Sequence, residues 1–309
     1  MTLSIIIPSY NTKGLLKDCL ESIYRETKNI KFEVIVIDNG SKDGSVEMVK
    51  KNFSEVKLLT LLKNIGYGKA NNLGVKKAKG EWLLFLNSDT VIKNKAIDKV
   101  FKKITNHKSQ ITNLIIGCKL LNPDGSIQPS AGYFPTLGRV LATMFFLDDL
   151  PILNELTKPY QQSRRTFYQK RQEVDWVTGA FLLIKKGLFC ELGGFDESFF
   201  MYAEEVDMCF RAKQKGARVF YTPLAEVIHL KGASSGNGFQ AAVTGEFKGL
   251  ISFFKKHRPA WQPPILKALL FLGALLRIAV FGIIDRSKAK TYYKALKLIT
   301  NNNLITHSK

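Results

Sequence analysis

The 309-residue sequence predicts an α/β fold: a mostly parallel sheet with helices on both faces, followed by a basic helical region at the C-terminus. Two observations predict the sheet and one predicts the tail. Short, continuously apolar runs alternate with helix-period patterns through the first third of the chain, which is how strands covered on both faces are spaced. Each of those runs ends in polar, Gly-rich or acidic residues: "PSYN" (8–11), "DNGSKDGS" (38–45), "KNIGYGKANN" (63–72) and "NSD" (87–89). In parallel sheets ligands lie beyond the carboxyl ends of the strands, so four such endings on one edge point to a binding site. The tail is set apart by residues 265–284, "ILKALLFLGALLRIAVFGII", an apolar segment flanked by cations.

In order, Leu3–Ile7 reads as the first strand, followed by a helix whose apolar positions are Leu16, Cys19, Leu20 and Ile23. Glu33–Ile37 is the second strand, with a helix from Ser45 to Phe53. Lys57–Leu62 is the third, with its helix at Ala70–Ala78, and Trp82–Leu86 is the fourth. Residues 119–172 carry Pro123, Pro129, Pro135, Pro151 and Pro159 with "SRR" at 163–165, and read as a mobile, partly helical excursion. Order returns at "VDWVTGAFLLIKKGLF" (174–189) and "GGFDESFFMYAEEVDMCFR" (193–211), then a strand near Arg218–Tyr221 and "VIHLKGASS" (227–235). There is no internal repeat and no low-complexity tract.

A hydrophobic content of 45% with 11% aromatics describes a globular core and excludes a disordered chain. The 46 Lys and Arg against 26 Asp and Glu give a net charge of +20, which calls for an anionic partner: nucleic acid, anionic lipid or a phosphorylated substrate. No RRM, KH or zinc-finger pattern supports nucleic acid. Cys19, Cys118, Cys190 and Cys209 are widely spaced and form no CxxC pair, which argues against a zinc site or disulfide framework and fits a reducing compartment. "MTLSIIIPSYN" lacks a basic n-region and is cut by Pro8 and Asn11, so it reads as a strand and not a signal peptide.

Asp38 and Asp89 both end apolar runs. A carboxylate so placed can accept a hydrogen bond from a base or ribose, or bind a cation, and it can equally form a turn or cap a helix. "GYGK" (66–69) is only a loose phosphate-loop pattern. Glu204, Glu205 and Asp207 crowd into four residues; on a helix Glu204 and Asp207 share a face. Like charges this close raise at least one carboxylate pKa, as a general base requires, although an acidic first helical turn has the same composition. His229 alone is an ordinary core residue.

Taken in order, "IPSYN", "VIDNGSKDGS", "NIGYGKANN", "FLNSD", "VTGAFLLIKK", "GGFDESFFMYAEEVDMCFR" and His229 resemble the inverting family 2 glycosyltransferases, and within them the bacterial rhamnosyltransferase branch. The resemblance spans residues 3–235. It implies a GT-A fold, a UDP- or dTDP-sugar donor and a divalent cation, Mg²⁺ or Mn²⁺. By the same resemblance Pro8, Ser9, Asn11, Asp38, Asn64, Gly66, Lys69, Asn87 and Ser88 bind the donor, and Gly179 and Ala180 line the donor–acceptor junction. Asp89 matches the metal-binding Asp of the D-x-D motif, His229 a metal or diphosphate contact, and Glu205 the catalytic base, with Glu204 and Asp207 as rivals. Asn87 stands where that motif has its first Asp, which leaves metal binding dependent on the donor phosphates.

The expected organisation is a catalytic region at 1–240, divided into a nucleotide-binding half (1–118) and an acceptor-binding half (119–240), then a basic helical region at 241–309. The 265–284 segment is long enough to span a bilayer at about 30 Å. Its thirteen Ile, Leu, Phe or Val residues favour insertion by about 0.5 kcal/mol each, and Arg277 opposes by about 3 kcal/mol. Cations lie on both flanks, and from Gly245 onward twelve Lys and Arg face two acidic residues. A peripheral or monotopic helix on the anionic cytoplasmic face of the membrane is therefore expected, beside a lipid-linked glycan acceptor and with self-association left open. Two alternatives are a sugar-1-phosphate nucleotidyltransferase, for which "IPSYNTKG" lacks the Gly-rich, Arg-containing loop, and a non-catalytic basic lipid- or nucleic-acid-binding protein.

Overall fold

The computed structural model describes residues 2–106, 113–150, 157–230 and 238–300. The first third alternates as expected: β1 (Leu3–Ser9), α1 (Lys13–Glu26), β2 (Phe32–Asp38), α2 (Ser45–Asn52), β3 (Lys57–Thr60), α3 (Tyr67–Lys77) and β4 (Trp82–Leu86). Then come β5 (Thr90–Ile92), α4 (Ala96–Asn106), β6 (Leu114–Leu121), β7 (Ile127–Gln128), β8 (Ala131–Gly132) and α5 (Leu137–Met144). The chain continues through β9 (Gln172–Val174), β10 (Trp176–Val177), β11 (Phe181–Lys185), α6 (Lys186–Glu191), α7 (Glu204–Gln214) and β12 (Arg218–His229). It closes with α8 (Gly238–His257), α9 (Gln262–Ile284) and α10 (Arg286–Thr300).

The main sheet runs β3-β2-β1-β4-β11-β6-β12-β5. β3, β2, β1 and β4 are mutually parallel, as are β6 and β12, while β11 and β5 pair antiparallel with their neighbours. Alternate strand residues feed two cores, one on each face. Ile6, Ile35, Leu83 and Phe85 pack to one side; Ile5, Ile7, Val34, Val36, Leu84 and Leu86 pack to the other. Both sets are fully buried, at about 1.5–3 kcal/mol per large side chain, which is why these strands are apolar without interruption.

Three element boundaries differ from expectation. β3 stops at Thr60, and Leu62 stands fully exposed because no strand flanks it there. α3 begins at Tyr67, three residues early, because Asn64 Oδ1 accepts the Gly66 N–H and Gly66 turns the chain at φ +88°. α2 ends at Asn52, with Phe53 as its C-cap. The described parts of 119–172 are not an excursion from the body. Tyr168 is fully buried; its hydroxyl accepts from the Ser130 N–H and donates to the Gln162 carbonyl, and the Trp176 indole donates to the Tyr160 carbonyl. Aromatic anchors outweigh the proline-rich composition.

In the tail, α9 buries Leu266, Leu270, Gly273, Ala274 and Arg277, a helical stripe facing α5, α8 and α10. Trp261, Ile265, Leu272, Leu275, Ile283 and Ile284 face outward. Arg277 lies inside, its guanidinium donating to the Thr143 and Met144 carbonyls at the C-terminal end of α5 and stacking on Phe146.

Candidate active site

Sheet register brings the distant parts of the site together. β12 pairs with β5 so that His229 lies opposite Thr90, and the Leu230 N–H donates to the Asp89 carbonyl. His229 Nε2 therefore sits 3.2 Å from Asp89 Oδ1 and 3.2 Å from Asn87 Nδ2. Gln128 fixes the imidazole from behind. Its Nε2 donates to Asn122 Oδ1 and to the His229 carbonyl, so its Oε1, 2.6 Å from His229 Nδ1, must accept. Nδ1 then carries the proton, and Nε2 presents a lone pair to the Asn87 amide and to the Asp89 carboxylate. Asp89 is buried at 3% exposure. A carboxylate and an imidazole lone pair face one another across 3.2 Å, an arrangement that a shared cation or a proton relieves.

The loops at the ends of β1 and β2 are bound to each other. Pro8 and Ser9 end β1 in register with Ile37 and Asp38. Asn11, at φ +52°, takes a hydrogen bond from the Lys42 N–H and gives its own N–H to Ser41 Oγ. Ser9, Thr12 and Ser88 form a buried hydroxyl chain at 2.9 and 3.1 Å. Asp38 forms the turn its position allows. Its Oδ1 closes a turn by accepting from the Gly40 and Ser41 N–H groups, while its Oδ2 is buried without a partner. Gly40 (φ +82°) lies so close to Lys63 that a Cβ would meet its backbone at 2.9 Å.

On the opposite side, Tyr67 donates to the Gly179 carbonyl at 2.8 Å. Ala180 is buried, its carbonyl accepting from the Asn87 N–H. Lys69 does not project into free space: it pairs with Glu197 at 3.4 Å, both half exposed.

α7 opens with Glu204 and Glu205. Burial, and for Glu204 the neighbouring Glu205 carboxylate, pushes Glu204 well above the usual carboxylate range. Glu205 is also raised, first by burial, while the Gly179 and Val206 N–H groups pull it back. Oε2 of each has no hydrogen-bond partner, and Glu205 keeps an exposed edge. The Tyr67 and Tyr202 hydroxyls are both pushed up, first by burial and then by the Glu204, Glu205 and Asp89 carboxylates. The expected pairing of Glu204 with Asp207 is not formed. Asp207 turns the other way, to Arg211 Nε, Lys256 Nζ and His257 Nε2, each at 2.7 Å, and these hydrogen bonds hold it at about 2 against the opposing effect of burial. Its geometry is that of an anchor.

Several residues of this arrangement carry no pattern visible in sequence. Gln128, Tyr67, Tyr202, Lys256 and His257 act through contacts separated by tens of residues, and only the hydroxyl and aromatic bias of "IGYGK" and "FFMYAEE" hints at two of them.

The mostly parallel sheet with helices on both faces is a GT-A fold. Residues 4–142 match the family described as glycosyl transferase family 2. The fold superposes on the mannosyltransferase PcManGT from Pyrobaculum calidifontis, solved with GDP-Man and Mn²⁺ (TM-score 0.57, 18% identity, 96% of this chain and 74% of that one). It also superposes on GalNAc-T7, solved with UDP, GalNAc and Mn²⁺ (TM-score 0.58, 16% identity, 97% and 56%). Over residues 4–142 the chain is similar to glycosyl transferase family 2. Among the relatives it resembles are bacterial rhamnosyltransferases. It is 29% identical to the N-acetylglucosaminyl-diphospho-decaprenol L-rhamnosyltransferase of Mycobacterium tuberculosis over 85% of this chain and 87% of that protein. It is 26% identical to the rhamnosyltransferase WbbL of Escherichia coli K12 over 82% and 93%.

Proposed function

We propose that the protein is an inverting, metal-dependent hexosyltransferase of cell-surface polysaccharide synthesis. It moves rhamnose, or another hexose, from a dTDP- or UDP-sugar to a hydroxyl of a lipid-linked or polysaccharide acceptor on the cytoplasmic side of the membrane. The observation that carries the reading is the unpartnered Glu205 oxygen, on a carboxylate raised by burial at the start of α7. The relatives' named activities support the sugar and the acceptor class. Residues 1–118 would hold the donor and 119–240 the acceptor.

Glu205 takes the proton from the acceptor hydroxyl as that oxygen attacks the anomeric carbon. The bond to the nucleotide diphosphate breaks with its electron pair on the departing phosphate oxygen, and attack from the opposite face inverts the centre. Asp207, held at about 2 by His257, Lys256 and Arg211, is a poor base; Glu204 is buried beside Glu205 and raised well above the usual carboxylate range. Asp38 Oδ2 is free to read the nucleoside, and the Asn64–Gly66 turn opens α3 toward the diphosphate.

A divalent cation fits the Asp89–His229 pair, because the two lone-pair donors face each other and Gln128 orients the imidazole for it. Among the described residues there is no cluster of three or more such ligands, so donor phosphate and water would complete the shell. When bound, it supplies Lewis-acid neutralisation of charge on the leaving diphosphate. The test is thermal shift with dTDP, UDP and GDP, each with and without Mn²⁺ or Mg²⁺, followed by a nucleotide-sugar panel with a polyprenyl-diphosphate sugar acceptor. Metal-dependent stabilisation by one nucleotide and transfer from its sugar are expected; stabilisation by none overturns the reading.

α9 is long and apolar enough to cross a membrane. Its buried stripe is committed to α5, α8 and α10, and Lys255, Arg286 and Lys290 stand exposed on both flanks. An interfacial helix satisfies both facts, whereas a single span would strip that packing. Co-sedimentation with phosphatidylglycerol vesicles that weakens with salt and is lost in Leu272→Asp is expected. Retention through high salt and alkaline wash would show a span.

A further inference from the structure

The turn before the carboxylate pair is conformationally costly. Tyr202 and Ala203, neither of them glycine, adopt φ +73° and +71° in succession, and Ala203 caps α7 without any side-chain hydrogen bond. Glu205 holds part of the turn, taking backbone N–H groups of Ala203 and Val206, while Oε2 of each glutamate is unpartnered. The outer brace is α8.

Gly245 and Gly249 lie four apart, on one face of α8. A Cβ on Gly245 would stand 2.0 Å from Tyr202 Cδ2, and one on Gly249 would stand 2.7 Å from Ala203 Cβ and 3.0 Å from the Tyr202 carbonyl oxygen. Glycine inside a helix lowers its stability, so two of them at these positions are explained by the close approach and not by the helix. The far end of α8 grips the same helix again. Lys256 and His257 both reach Asp207 at 2.7 Å, and Lys256 also reaches Asp196. The first turn of α7 is thus braced at its backbone and one step along its side chains.

We infer that α8 is the positioning element of the catalytic carboxylate, with Gly245, Gly249, Lys256 and His257 as positioning residues. This rests on the assignment of Glu205 as the base. All four lie beyond residues 4–142, the stretch matched by the family, so the device belongs to a part of the chain that the match does not describe. A short turn through Pro259 joins α8 to α9, so the brace adjoins the proposed lipid-facing helix.

Gly249→Ala should lower kcat at least tenfold, leave the donor KM within twofold, and shift the acid limb of the kcat–pH profile, because the protonation of Glu205 depends on where the turn places it. Adding Ala203→Gly removes the opposing Cβ and relieves the left-handed backbone, so Gly249→Ala should cost far less in that background. Should Gly249→Ala fail to fold, Lys256→Met carries the test, with a lower kcat, a shifted acid limb and an unchanged donor KM. Wild-type kcat in both variants, or a kcat loss that Ala203→Gly does not relieve, overturns the inference. Glu205→Gln measured in parallel separates the two levels. If it turns over normally, the base assignment falls; if it is dead while the α8 variants are normal, only the brace falls.

Discussion

The two sides of the cleft are built differently. The strand-end side, around Asp38, Asn11, Ser88 and Asp89, is stitched by short hydrogen bonds between loops that the sheet already places side by side. The α7 side has its key oxygens unpartnered, two left-handed residues in a row and a buried acid pair, and it depends on helices from the far end of the chain. Each side keeps a buried oxygen without a partner, Asp38 Oδ2 on one and Oε2 of Glu204 and Glu205 on the other, so the strained turn and the adjacent acid pair are what set the α7 side apart. The difference shows where the fold concentrates its unfavourable interactions.

The largest expected effect separates the two sides by readout. Glu205→Gln should lower kcat by about 10³-fold and leave nucleotide binding intact, whereas Asp89→Ala should abolish metal-dependent nucleotide binding, read by calorimetry with and without Mn²⁺. If both variants lose the same property, the division is wrong. A smaller effect is expected behind the metal pair. Gln128→Leu frees the His229 ring without removing a ligand and should weaken Mn²⁺-dependent donor binding about 10–100-fold. The smallest is thermodynamic. Glu204 is raised in the folded state, so folding is penalised as pH rises above the ordinary carboxylate value, and the penalty is absent below it. Glu204→Gln should therefore raise Tm at pH 7, with the gain vanishing toward pH 4. Asp207 has the opposite sign: held at about 2, it stabilises above the ordinary carboxylate range, and that contribution is lost as pH falls toward 2.

The same contrast explains what was legible beforehand. Strands with every residue buried announce themselves, so β1, β2 and β4 and the loops after them were readable, and Asp38 and Asp89 with them. Helix spacing placed Glu204 and Asp207 on one face, but Ala203 in a left-handed cap and the pull of Lys256 and His257 set the pair as Glu204 with Glu205. Neither cause is local. Prolines in 119–172 suggested a loose segment because composition cannot show that the Tyr168 hydroxyl ties Ser130 and Ala131 to Gln162. Gln128 was invisible for the same reason: its partner lies 101 residues away.

Arg277 carries a wider lesson about helix α9. In a segment average its guanidinium is a penalty on contact with hydrocarbon, yet here it plugs the end of α5 and is hidden from anything outside. The outward ridge from Trp261 through Leu272 and Leu275 to Ile283 is electrically silent. Charge on an amphipathic segment has to be counted face by face, and a single inward cation can rivet a helix to its own protein while leaving its other side greasy.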